Sequence, residues 1–136
     1  MVKLILGLKG SGKTKQLIEL VKKAVEEEHG DVVCLEKGTK LTYDIPHKAR
    51  LISVSQYSFG SYDFLKGFIS GLNASNYDVS HVFLDSLQKI VDTEDAAQLE
   101  EFMDWLNRFA EKESVKFTIT YSVDPALVSE GVRKFQ

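Results

Sequence analysis

One octet, Gly7-Leu8-Lys9-Gly10-Ser11-Gly12-Lys13-Thr14, limits what this chain can fold into more than any other segment. It joins a short apolar run, Val2 to Leu6, to a stretch with helical spacing. Its glycines let the backbone curl tightly and aim successive N–H groups into one concavity. A helix starting there adds its positive end and its unpaired amide donors. Lysine followed by a hydroxyl then suits phosphate oxygens and a hard divalent cation. Gly7, Gly10, Ser11, Gly12, Lys13 and Thr14 are therefore expected to hold phosphate, with Thr14 on magnesium. Lys9 is a further candidate, with a solvated lysine as the competing reading. A glycine-rich turn that binds nothing is the alternative, and the strand-loop-helix setting argues against it.

The remaining pattern alternates strands and helices. Leu17, Leu20, Val21, Ala24 and Val25 predict a helix from Lys13 to Glu28, stopped near Gly30. Asp31 to Leu35, Arg50 to Val54, Val79 to Leu84 and Val115 to Tyr121 read as further strands. Lys37 to Lys48 reads mostly as loop, and Ser55 to Gly60 as a turn. Ser61 is placed to cap a helix through Leu72, and a longer helix is expected over Thr93 to Lys112. Asp124-Pro125 looks like a cap with proline at the first helical position. Val132 to Phe135 either continues that helix or forms a small edge strand. This order favours an α/β architecture, a mostly parallel five-stranded sheet with helices on both faces. The fifth strand fits less well: it alternates apolar residues with Lys116, Thr118 and Thr120, whereas a central parallel strand is usually apolar on both sides.

Composition excludes more than it selects. The 136 residues are 43% hydrophobic and 27% charged with a net charge of −3, as in an ordinary soluble domain, and one domain over 1–136 is expected. Bulk charge asks for no nucleic acid and no acidic membrane. Lys37, Lys40, His47, Lys48 and Arg50 form a modest basic run around Tyr43, explained about as well by a solvated loop. The single cysteine, Cys34, reads as a small core residue. His29, His47 and His81 are far apart in sequence, and no zinc-type cluster occurs. No apolar run reaches membrane-spanning length, and the early glycine-rich octet interrupts any signal-peptide pattern, so a cytoplasmic setting is expected. The aromatic residues, including Phe59, Phe64, Phe68, Phe102, Trp105 and Phe109, fall mostly at core-facing helical spacing. Tyr57 and Tyr62 lie near a loop, from which a ring could stack on a base.

Two acids supplement the loop. Val82-Phe83-Leu84-Asp85 delivers a carboxylate to a strand end, where ligands bind in open α/β sheets, so Asp85 is the second magnesium candidate. Glu36 follows Val32-Val33-Cys34-Leu35 and would reach the same edge, where it could polarise a water as general base. Together the P-loop, the strand ending in Leu-Glu and the strand ending in Asp-Ser-Leu resemble the RecA and KaiC branch of P-loop ATPases. The chain is also similar to short bacterial P-loop proteins sometimes labelled after the twitching-motility retraction ATPase, a likeness carried by the P-loop alone. The resemblance implies a three-layer P-loop NTPase fold, ATP and Mg2+ as ligands, Glu36 activating water and Asp85 handling magnesium. It also implies that the last long strand lies between the first and the Asp85 strand. Thr120 or Ser122 would then sense the γ-phosphate.

Other classes fit less well. A GTPase lacks its Asn-Lys-x-Asp base reader here. A nucleoside or nucleotide kinase normally surrounds the transferring group with arginines, and this chain has only Arg50, Arg108 and Arg133. The expectation is slow ATP hydrolysis, completed by a homo-oligomer or a protein partner, with Lys48, Arg50 or Arg133 acting in trans. A non-enzymatic ATP-binding switch and a small kinase are the alternatives.

Overall fold

The computed structural model describes residues 1–57 and 60–136; Ser58 and Phe59, within the expected Ser55–Gly60 turn, lie outside them. The strands are β1 (Val2–Gly7), β2 (Asp31–Glu36), β3 (Ala49–Ser53), β4 (Val79–Leu84) and β5 (Lys116–Ser122). They form one all-parallel sheet in the order β1-β5-β4-β2-β3. The last long strand thus lies between the first and the Asp85 strand, as the resemblance implies. Parallel registers such as Gly7 with Ser122 and Leu84 with both Ile119 and Leu35 bring four strand ends to one edge.

Helix α1 (Lys13–Glu27) buries Leu17, Val21 and Ala24, one stripe at helical spacing. That stripe covers Val32, Cys34 and Phe83 on one face of the sheet. Leu41 and Ile45 of the β2–β3 connection complete this layer. The segment expected as loop is therefore anchored, with Leu41 only 1% exposed. On the other face, α2 (Tyr62–Ser75) and α4 (Ala96–Glu113) bury Leu65, Ile69, Phe102, Met103 and Leu106. These pack over Leu4, Val33, Leu35, Val82, Leu84, Phe117 and Ile119. Burying each such large apolar side chain contributes about 1.5–3 kcal/mol before chain entropy is counted.

Ser61 caps α2 by accepting from Phe64 N at 3.0 Å. Helix α4 starts later than its expected Thr93, because the Asp95 carboxylate accepts from Gln98 N at 2.9 Å and sets the N-terminus. A short helix, α3 (Leu87–Ile90), follows Asp85 after a single residue, Ser86. After β5, Asp124 caps a 3-10 turn over Pro125–Leu127, and a separate short helix, α5, spans Glu130–Arg133. The chain end then returns to the sheet, and Leu4 N donates to Phe135 O at 2.7 Å. That bond covers part of the outer edge of β1, which would otherwise expose unpaired backbone groups. Among the described residues, no helix is long and apolar enough to cross a membrane.

The conflict at β5 resolves in its partners. Thr118 and Thr120 are 2% and 1% exposed, and their hydroxyls are hydrogen-bonded to His81 of β4 and to Asp85 just beyond its end, respectively. A central strand tolerates polar residues on one face when every buried polar group finds a partner.

Candidate functional site

The octet links the end of β1 to the start of α1 at the carboxyl edge of the sheet. Gly10 and Gly12 have φ of 83° and 89°, a left-handed region that strains other residues. A Cβ at either position would meet nothing within 4 Å, so the backbone conformation, and not lack of space, calls for glycine there. At Gly7 the effect is different: a side chain there would crowd the Ser11 hydroxyl, which would have to turn away. Lys13 is 8% exposed; its Nζ donates to Leu8 O at 2.8 Å and to Ser11 Oγ at 3.4 Å. Burial lowers its pKa and the Asp85 charge opposes that shift. An ammonium with reduced hydration gains from an incoming anion.

Asp85 joins this loop to β4. The Thr14 hydroxyl donates to Asp85 Oδ1 and Oδ2 at 3.1 and 3.3 Å. Thr120 donates to Asp85 Oδ1 at 2.9 Å and accepts from Ser86 N at 2.7 Å. Ser86 has a φ of 57°, and Asp85 N donates to Leu35 O at 2.9 Å. The carboxylate is thus oriented from one strand and one helix, and the backbone of Asp85 is tied to a second strand. Its neighbour Thr14 supplies a second hard oxygen, so the pair suits magnesium.

Gly10, Gly12, Lys13, Thr14 and Ser86 border a cavity of about 960 Å3 that also includes Lys9, Lys40, Gln88, Lys89 and Ser122, and the buried Asp85 is linked to it through Thr14. Of the two expected γ-phosphate readers, Ser122 lines this cavity, whereas Thr120 is buried beneath it on Asp85. Gln88 Oε1 accepts from Ser122 N at 3.1 Å and holds the end of β5. Lys40, Gln88 and Lys89 escape a motif-based reading. The signal for Lys40 was the pair Leu41 and Ile45, spaced as an anchored turn.

Glu36 reaches the carboxyl edge but is 4% exposed, and its Oε2 accepts from Leu41 N at 3.1 Å. Burial raises its pKa, the Leu41 amide opposes the rise, and the Asp85 charge adds to it. Its side chain borders a neighbouring cavity of about 380 Å3 with Gly38, Thr39, Pro46 and Gln56. The Arg133 guanidinium is held by Glu130 Oε1 at 2.6 Å and by Pro125 O and Val128 O at 3.1 and 3.0 Å. Arg50 lies exposed on the edge strand β3. Tyr62 is buried against Phe102 with ring centroids 5.0 Å apart, so its ring is not offered to a base.

Fold and loop together define an all-parallel α/β domain with a glycine-rich phosphate-type loop between β1 and α1. Its architecture is similar to that of a KaiC-like protein from the hyperthermophilic archaeon Pyrococcus horikoshii, with a TM-score of 0.66 and 19% identity. The match covers 98% of this chain and 66% of that one, and at such identity it concerns the fold. No protein-family model and no curated protein matches the chain.

Proposed function

We propose that this chain binds ATP with Mg2+ in the P-loop cavity and hydrolyses it slowly, its site completed by a second copy or a protein partner. The observation that carries the reading is the Thr14–Asp85 hydrogen bond, which joins the phosphate loop to the strand-end carboxylate. Lys13 and the loop amides would hold the phosphates, exchanging the Leu8 carbonyl for phosphate oxygens. Thr14 and Asp85 would hold the magnesium, which when bound offsets charge on the phosphate oxygens. Ser122 is the proposed γ-phosphate contact and Glu36 the proposed base. Arg50 and Lys48 remain candidates in trans, whereas Arg133 is engaged within its own chain. A cytoplasmic setting and a single domain over 1–136 fit this reading.

Titration calorimetry with ATP and Mg2+ tests binding: Lys13→Ala is expected to abolish tight association, and unchanged affinity would overturn the proposal. Phosphate release measured with ATP, GTP and candidate acceptors then separates hydrolysis from phosphoryl transfer. Glu36→Gln should bind and lose turnover. A second reading, an ATP-binding switch with little turnover, is favoured by the hydrogen bond that engages Glu36 with Leu41 N. Equal turnover in Glu36→Gln would support it or place the base elsewhere.

A further inference from the structure

Four observations converge on the β2–β3 connection. Glu36 is buried at the end of β2, and its carboxylate accepts from Leu41 N. Leu41 and Ile45 are seated in the core under α1, 1% and 7% exposed. Lys40, immediately before Leu41, borders the P-loop cavity. Strand β2 lies next to β4, on the side of Asp85 away from β5 and β1. A lysine at the tip of an unanchored loop would be an ordinary solvated charge. Here the next residue is fixed by a buried carboxylate and a buried side chain, so the place from which Lys40 projects is fixed too.

The direction of approach selects what Lys40 can touch. Thr14 and Asp85 are the residues that would hold a metal, which would offset charge on the phosphate oxygens. Lys40 follows β2, the neighbour of β4 on the side away from β1, and borders the cavity, a placement that suits the far end of a phosphate chain better than its nucleoside end. We infer that Lys40 is a γ-phosphate ligand contributed in cis, and that Glu36 is its positioning residue through Leu41, so that this connection separates ATP from ADP. The inference rests on the nucleotide-binding reading above. It gives Glu36 a role that does not require contact with water or substrate, and it supplies a cation from within the chain where the sequence suggested one in trans. An ammonium is a point charge and does not need the planar match of a guanidinium to act here.

The test is titration calorimetry of the full chain with Mg·ATP and with Mg·ADP, on wild type, Lys40→Met, Glu36→Gln and Glu36→Ala. Wild type should prefer ATP. Lys40→Met should lower ATP affinity roughly tenfold or more, the scale of one charge-assisted contact, and leave ADP affinity within about twofold. Glutamine keeps an acceptor for Leu41 N, so Glu36→Gln should retain the ATP preference, whereas Glu36→Ala should lose it. An unchanged ATP-to-ADP ratio in Lys40→Met, or an equal loss for both nucleotides, overturns the inference while leaving the site reading intact. Wild type binding neither nucleotide overturns both. Should Glu36→Ala not fold, Lys40→Met still decides, because Lys40 is exposed and outside the core.

Discussion

Replacing Thr120 by valine would remove one hydroxyl and almost no volume, at a residue 1% exposed. That hydroxyl donates to Asp85 Oδ1 at 2.9 Å and accepts from Ser86 N at 2.7 Å. Losing a hydrogen bond to a charged acceptor costs about 1.5–3 kcal/mol, and leaving a buried N–H without a partner costs about 1–3 kcal/mol. Valine recovers part of this through its added methyl group, so about 3 kcal/mol of stability should be lost. In a chain of this size each kcal/mol moves Tm by about 3–4 °C, which gives a fall of roughly 10 °C. Thr120→Ser keeps the hydroxyl and loses one buried methyl, so it should cost only about 1 kcal/mol. Urea unfolding followed by circular dichroism measures both, with equal m-values showing that the unfolded states are comparable. If Thr120→Val lies within about 1 kcal/mol of wild type, or matches Thr120→Ser, the buried network does not orient Asp85 as described.

Three further predictions follow from the core. His81 lies 2.8 Å from Thr118 Oγ1 and stacks on Phe83; burial pushes its pKa down to about 4 from 6.5, with Glu28 opposing and Lys116 assisting. The fold holds the neutral ring, so its contribution is intact above the unfolded pKa of 6.5 and is lost as pH falls toward 4. Up to about 3 kcal/mol should disappear across that window in wild type and not in His81→Gln, and parallel stability profiles would refute the assignment. Cys34 is fully buried, and burial raises its thiol pKa, with the Asp85 and Glu36 charges adding to the rise. A thiol reagent should therefore label it only at the rate of unfolding, and rapid labelling of native protein would place it elsewhere. Leu41→Ala should cost about 2–5 kcal/mol in chemical denaturation, because Leu41 sits in the α1 cluster; a cost below about 1 kcal/mol would mean that the connection is not anchored.

What could be read in advance depended on how far apart the interacting groups lie along the chain. The phosphate loop is a local device: eight consecutive residues carry its turn, its donors and its cation, so its position between β1 and α1 was legible. The stripe Leu17, Val21, Ala24 was legible for the same reason, since a hydrophobic period needs only a few turns to show. Helix α3 has four residues and no period to display, and nothing local marks it. The site itself is assembled from separations that periodicity does not encode. Thr14 meets Asp85 across 71 positions, and Thr120 meets it across 35. Asp85 was visible as a strand-end acid, but its orientation belongs to the pairing of β4 with β5. The polar alternation of β5, which looked like an argument against a central strand, is the consequence of that pairing: threonines face the buried His81 and Asp85. The same pairing separates two residues that sequence left equivalent. Thr120 and Ser122 point to the same face by strand period, yet two residues of rise leave one beneath Asp85 and the other at the cavity wall. Glu36 shows the converse. Its partner Leu41 is only five residues away, and the interaction still escaped notice, because a carboxylate accepting from a loop amide leaves no mark in hydrophobic spacing. Its chemistry is therefore open to two uses, base and positioning group, and Glu36→Gln separates them: glutamine removes the charge a base requires and keeps the acceptor that Leu41 N requires.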